Sequence, residues 1–418
     1  MTLRDDLQAM AEKSWQASRE MAVIAGSVKN DALLGMADAL LAHKDEILAA
    51  NARDLEAAEG TDLPYALRKR LELNEEKVAA MARACREVAA LPDPVGEVFD
   101  MVLRPNGLRV GKMRVPIGVV LTIYESRPNV TCEAAVIALS AGNCIILRGG
   151  KEALHSNLAI ARVLADAGRS AGLPEGALQI LDTTDRDAVG ILLGMSEYID
   201  LVVPRGGEGL IRAVVEQATM PVMKHFAGVC HTYVDAAADL TMAETVCYNA
   251  KVQYPAVCNA METMLVHADV AEAFLPAMCR RFVEAGVELR GCERTRALCP
   301  GASAATEEDW GTEYNDLILS VKVVGGFEEA LDHIARYGTR HSEAIITDDY
   351  RTAQRFLACV DAAAVYVNAS TRFTDGGQFG LGAEMGISTD KFHARGPCGL
   401  RELTTYKWII YGDGQIRT

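Results

Sequence analysis

Apolar positions between residues 3 and 90 recur at intervals of three and four, as at Leu33, Met36, Ala37, Leu40 and Leu41, in a background of Ala, Glu and Lys. That period predicts helices. Gly60 to Pro64 breaks the run and Pro92-Asp93-Pro94 ends it. From Glu97 to Val115 the pattern changes. Val98, Met101, Val102 and Leu103 lead into Asn106-Gly107, and Leu108, Val110 and Met113 follow. Asn-Gly between two apolar runs predicts a hairpin, and one lying outside any α/β unit reads as an arm.

From residue 116 short apolar runs alternate with helical stretches. Strands are expected at 119–123, 144–147, 178–181, 201–203, 222–224 and 231–234. Helices are expected at 130–140, 155–171, 187–193 and 209–218. Near-continuous Val/Ile/Leu runs bounded by helices predict a parallel, doubly wound sheet, with ligands at the carboxyl ends of its strands. A second α/β set follows, with strands at 264–266, 317–324, 344–347 and 365–368 and helices at 270–285, 327–336 and 350–360. Asp375-Gly376-Gly377 then opens a Gly-rich region that runs to Gly399. Residues 403–411, rich in Thr, Tyr, Trp and Ile, read as a last strand.

A chain of 418 residues suits two domains plus accessories. Its formal net charge of −15 argues against nucleic-acid partners and anionic membrane surfaces, although a local cationic cluster can still receive an anion. No stretch approaches the roughly 20 apolar residues of a membrane span, and no apolar leader follows the early acids, so a cytoplasmic protein is expected. Eleven cysteines without a Cys-x-x-Cys pair read as reduced, mostly buried thiols. His393 and Cys398 lack a second pair at ligand spacing, so no metal is expected.

Cys258 follows a Pro-containing loop and precedes an apolar strand, a position that can expose its sulfur; taken alone it also reads as ordinary packing. The run Cys258-Asn259-Ala260-Met261-Glu262-Thr263-Met264-Leu265-Val266-His267 resembles the active-site cysteine segment of the γ-glutamyl phosphate reductases (glutamate-5-semialdehyde dehydrogenases), in the aldehyde dehydrogenase superfamily. Segments 123–131, 147–153, 373–389 and 393–397, together with Glu402-Leu403-Thr404-Thr405-Tyr406-Lys407, carry the same resemblance.

The resemblance implies an aldehyde dehydrogenase-like α/β fold: two doubly wound α/β domains with a protruding oligomerisation arm. Residues 1–96 and 116–230 would form a helical region plus dinucleotide-binding domain, 231–399 the catalytic domain, and 97–115 with 400–418 the arm of a homo-oligomer. The implied reaction is NADPH-dependent reduction of γ-glutamyl phosphate to glutamate 5-semialdehyde, the second step of proline biosynthesis, with a glutamate kinase as an upstream partner. In chemical terms, a thiolate attacks the acyl phosphate, phosphate leaves, and hydride reduces the resulting thioester. Cys258 is the implied nucleophile and Asn129 an oxyanion donor; Asn129 also reads as a helix cap before Thr131.

No G-x-G-x-x-G fingerprint occurs. The resemblance instead assigns NADPH to Arg148, Lys151, Arg205, Gly206 and Gly207. Arg148 and Lys151 suit a 2′-phosphate, and they read equally as solvated charges. Lys224, His225, Arg372 and Arg395 are the implied substrate-binding residues, each of which also reads as a surface charge. The resemblance sets Lys224-His225-Phe226-Ala227-Gly228 where hydrolytic members of the superfamily carry a Glu base; a cation there suits departing phosphate rather than water activation. A non-phosphorylating aldehyde dehydrogenase is the alternative within this fold, and an inert scaffold protein is the alternative outside enzymes.

Overall fold

The computed structural model describes residues 2–59, 61 and 65–417. The expected break at Gly60 to Pro64 lies outside the described residues, apart from Thr61. The chain divides into two compact units: Met1–Lys224 with Gly380–Gly386 and Cys398–Thr418, and His225–Phe379 with Ile387–Pro397.

In the first unit the stretch from 3 to 90 forms helices Leu3–Met21, Gly26–Ala42, Lys44–Ala58, Tyr65–Leu71 and Glu75–Ala89. Thr2 and Asp5 close a reciprocal capping box on the first, and Asn74 caps the last through the Lys77 amide. Asn51 and Asp54, one turn apart and buried, tie this layer to the next. Asp54 accepts from the amides of His155 (3.1 Å) and Ser156 (2.7 Å), and so closes the start of helix Leu154–Ser170.

That helix follows a four-stranded parallel sheet made of β3 (Val119–Tyr124), β4 (Cys144–Arg148), β5 (Leu178–Ile180) and β6 (Leu201–Arg205), in the order β5-β4-β3-β6. The chain winds outward from β3 to β5 and returns to β6 on the other side of β3. The switch point therefore lies between the carboxyl ends of β3 and β6, at Tyr124 and Arg205. The expected strand at 222–224 reduces to one bridge between Val222 and Val202, because this segment pairs with the edge of β6 at a single residue.

The hairpin forms as β1 (Val98–Leu103) and β2 (Arg109–Pro116), antiparallel. Gly107 donates to the Arg104 carbonyl at 2.9 Å and takes a φ of 88°, which favours glycine there. The tail strand Thr404–Tyr411 pairs with all of β2, from Thr404 opposite Pro116 to Tyr411 opposite Arg109. Val102, Leu103, Trp408 and Ile410 stay exposed on this three-stranded sheet.

The second unit is built on a seven-stranded parallel sheet. Its strands are β7 (Cys230–Val234), β8 (Met261–His267), β9 (Glu288–Gly291), β10 (Ser303–Ala304), β11 (Ile318–Val324), β12 (Ser342–Ile346) and β13 (Ala364–Val367), ordered β10-β9-β11-β8-β7-β12-β13. β8, β7 and β12 are neighbours and start level: Cys230 pairs with Met261, and His231 pairs with Glu343. Three loops therefore enter the sheet side by side at its amino edge. Helix Leu240–Val252, helix Glu293–Leu298, β9 and β10 were not expected from hydropathy. The last three are short, and only the first carries a clear cap, Asp239 accepting from Thr241 and Met242.

One expectation about the cysteines is corrected. Cys279 and Cys299 form a disulfide, with Cα atoms 6.0 Å apart. Cys279 lies in helix Ala268–Glu284, and Cys299 immediately follows helix Glu293–Leu298, which packs against it. Compartment-based reasoning cannot see that proximity.

Candidate active site

The loop carrying Cys258 is anchored at both ends by charge. Lys251, in the last turn of helix Leu240–Val252, and Glu262, the second residue of β8, meet at 2.5 Å with both side chains fully buried. Burial pushes Glu262 up to about 7 and Lys251 below its usual value, while the ion pair opposes both shifts. The Glu262 carboxylate also accepts from the Asn315 amide at 3.1 Å.

Between these anchors the loop backbone is held from two sides. Gly228 lies so close that an added Cβ would stand 1.9 Å from the Cys258 carbonyl oxygen; no larger residue fits without moving the loop. The Cys230 thiol donates to that same carbonyl at 3.2 Å. On the far side the Asn259 amide donates to the Thr374 carbonyl at 2.9 Å, and the Thr371 hydroxyl donates to the Asn259 carbonyl at 2.7 Å. Cys258 itself is half-buried, the condition of a thiol that is both held and reachable.

Charged and titratable groups converge on this sulfur from the neighbouring loops. Arg372 donates to the Asn259 side chain, and to Gln253 at 2.9 Å. Burial lowers Arg372 from its ordinary value, while the nearby Cys258 and Asp375 act in the opposite direction. His225 and His341 reach the same place, their rings in edge contact at 5.3 Å. His225 holds its Nδ1 against the Ile387 carbonyl at 2.9 Å. His341 is fully buried, sets Nδ1 against the Ser342 hydroxyl at 2.9 Å, and is pushed by burial down to about 3, so its imidazole is neutral.

Of the residues singled out in the sequence, the second unit thus groups Cys258, His225 and Arg372. Arg395 belongs to a different set, an ion-pair cluster in which Asp361 meets it at 2.9 Å and Lys391 at 2.6 Å. Gly228, Cys230 and His341 were missed. Each precedes or begins a strand whose neighbours in the sheet are not its neighbours in the chain, and no spacing rule reports that.

In the first unit the other residues line the carboxyl edge of the small sheet. Arg148 ends β4 with its Nε buried and without a partner among the described residues. Burial lowers its basicity, and Arg186 adds to that. Lys151 is exposed in the turn just after it. Arg205 ends β6, and Gly207 caps helix Glu208–Gln217, its amide donating to the Glu125 carboxylate at 3.1 Å. That helix start already holds an anion of the protein's own. Asn129 lies in the first turn of helix Pro128–Ser140, and its amide donates to Glu133 at 2.8 Å. The cap position belongs to Arg127, so the reading of Asn129 as a cap is set aside. Lys224, half-buried, ends the first segment of the first unit.

The aldehyde dehydrogenase family pattern matches residues 2–309. The chain is 58% identical over 417 residues to a γ-glutamyl phosphate reductase of Moorella thermoacetica, covering 100% of each chain. It is 56% identical over 412 residues to one of Caldanaerobacter subterraneus, covering 99% of this chain and 100% of the other. The crystal structure of γ-glutamyl phosphate reductase from Thermotoga maritima superposes with a TM-score of 0.97 at 48% identity, covering 99% of this chain and 100% of that one.

The buried pair generates a stability prediction. Lys251→Met removes the partner of a buried carboxylate and should cost about 3–5 kcal/mol in urea unfolding above pH 7, where Glu262 is ionised in the parent protein. Lys251→Met combined with Glu262→Leu should recover most of the loss; simple addition of the two single losses would show that the pair is uncoupled. Glu262 keeps its proton up to about 7 in the fold, against an ordinary 4.5. Loss of the cation raises Glu262 further, so the deficit of Lys251→Met should grow as pH rises above 7, where the parent's carboxyl ionises and the variant's does not, and should level off below 7.

Proposed function

Because the chain belongs to the aldehyde dehydrogenase family and, within it, to the γ-glutamyl phosphate reductases, we propose that it reduces γ-glutamyl phosphate to glutamate 5-semialdehyde through a thioester on Cys258. The observation that carries this reading is Cys258 itself, half-buried on a loop pinned by Gly228, Cys230 and the 371–374 segment, with Arg372 alongside.

A guanidinium beside a thiol favours the thiolate, the nucleophilic form. Attack on the γ-carbonyl forms a C–S bond, and collapse of the tetrahedral species expels phosphate with the electron pair of the C–O bond. The Asn129 amide and the Cys258 N–H are the proposed donors to the oxyanion. In that role Asn129, half-buried at the helix start, would exchange Glu133 for the substrate. Lys224, His225 and Arg372 are the proposed receivers of phosphate and α-carboxylate, since both groups need cations or polarised N–H donors. Arg395 pairs with Asp361 yet keeps Nε buried without a hydrogen-bond partner among the described residues, a donor that a substrate anion would satisfy, so it is a further proposed anion contact.

The small sheet of the first unit fits a nicotinamide dinucleotide. It offers a β3/β6 switch point, the partnerless buried Nε of Arg148, and Lys151 exposed beside it. Two cations at that turn suit a 2′-phosphate, so NADPH is the proposed cofactor. The chemistry it supplies when bound is hydride donation to the thioester carbonyl. The exposed apolar strip on the hairpin and tail supports assembly into a homo-oligomer through that arm. No helix among the described residues is long and apolar enough to cross a membrane.

Two outcomes test the assignment. Cys258→Ser should reduce reductase turnover to background while NADPH binding and the unfolding midpoint stay near those of the parent protein, because a serine hydroxyl does not ionise at neutral pH. Turnover surviving in that variant would remove Cys258 as nucleophile. Lys151→Glu should lower kcat/KM for NADPH about 10-fold or more relative to NADH, since a carboxylate repels the 2′-phosphate and accepts from a ribose hydroxyl. An unchanged NADPH/NADH ratio would take Lys151 out of the cofactor site.

A further inference from the structure

Spacing along the chain offers no metal-binding pattern, yet the level starts of β8, β7 and β12 bring one together. One donor atom from each of His225, Cys258 and His341, a ring nitrogen or the sulfur, lies within 4.8 Å of the other two. We propose that these three residues form a binding site for a thiophilic divalent cation, Zn²⁺ being the fitting example, which caps the Cys258 sulfur.

The donor set is right for such an ion. One thiolate and two imidazoles suit zinc, and three protein ligands leave a fourth tetrahedral position for water. The surroundings of both histidines match those of metal ligands. In such sites the second ring nitrogen is fixed by an outer partner, which orients the ring. Here Ile387 O holds Nδ1 of His225 and the Ser342 hydroxyl holds Nδ1 of His341. Independently, His341 Nε2 is buried without a partner among the described residues. A buried imidazole nitrogen left unsatisfied is costly, and a coordinated cation would satisfy it.

The geometry requires a small contraction. Bonds of about 2.0–2.3 Å in a tetrahedron put ligand atoms about 3.5 Å apart, so separations that all lie within 4.8 Å must close by about 1.3 Å at most. Cys258 and His225 are half-buried and can supply that movement, whereas His341 is fixed. Binding exchanges a proton for the metal: the Cys258 S–H bond breaks, an S–metal bond forms, and one proton leaves for solvent. No electrons are transferred. Loss of activity on binding rests on the reading of Cys258 as nucleophile; the cation site does not.

Cobalt(II) is the probe, because a thiolate ligand gives it a charge-transfer absorption in the near ultraviolet. The full-length protein, reduced and free of chelator, should bind one Co²⁺ with that absorption, and Zn²⁺ should displace it. Cys258→Ala should lose the absorption. His225→Gln and His341→Gln should each weaken binding by about 10-fold or more, since even outer-shell changes reach that size. His225→Gln, at the half-buried position, keeps the test usable if the buried substitution disturbs folding. Zn²⁺ should also slow alkylation of Cys258 and inhibit turnover, with both effects reversed by EDTA. Absence of the absorption, or its persistence in Cys258→Ala or in both histidine variants, would overturn the site. The absorption present together with undiminished turnover in saturating Zn²⁺ would support the site and overturn Cys258 as nucleophile.

Discussion

The arrangement of the candidate site depends on the register of three parallel strands. β8, β7 and β12 start level, with Cys230 beside Met261 and His231 beside Glu343. Since neighbouring strands lie about 4.8 Å apart, loops entering them at one level must touch. Cys258 stands three residues before β8, His341 one residue before β12, and Gly228 two residues before β7. A register slip of one residue in β8 would turn its side chains to the opposite face and carry Cys258 away from both Gly228 and His341. The chemistry of the second unit is therefore a property of sheet pairing before it is a property of any single loop.

Buried polar groups hold that register. The Lys251–Glu262 pair joins the helix before the cysteine loop to the strand after it, so the loop cannot lengthen at either end. In the same sheet, Glu343 on β12 accepts from both the amide and the ring of His231 on β7, each at 2.9 Å and fully buried. Burial pushes Glu343 upward while His231 opposes the shift. Such contacts contribute little net stability against well-packed apolar substitutes. They do penalise alternatives, because any slipped register would leave a charge or a donor unmatched in the interior. Specificity of pairing, rather than gross stability, is the role this placement suits.

Much of the fold was legible in hydropathy. The alternation from Val119 predicts a parallel sheet, and β3, β4 and β6 appear within two residues of their expected ends, whereas the strand expected at 231–234 joins the second sheet instead. Asn106-Gly107 predicts the hairpin that forms between β1 and β2. Strand order was not legible: β7 lies between β8 and β12, and nothing local in the chain encodes that neighbourhood. For the same reason His341 and Gly228 escaped notice, as did the disulfide between Cys279 and Cys299. Cys258 itself stood out through its resemblance to a known active-site segment, because a cysteine before an apolar strand is otherwise unremarkable. Asn129 was placed correctly after β3, but its contact with Glu133 is a side-chain geometry that only the folded chain shows.

The central proposal is that, in the oxidative direction, the Cys258 thioester is resolved by phosphate and not by water. We propose that Lys224 stands where a hydrolytic enzyme would need its base, and an ammonium there cannot activate water. The most direct measurement is oxidation of glutamate 5-semialdehyde with NADP⁺ in buffers that contain or lack phosphate. The account requires turnover to depend on phosphate, or on arsenate in its place, and nearly to stop without either. Steady formation of free glutamate in a buffer lacking both anions would contradict it.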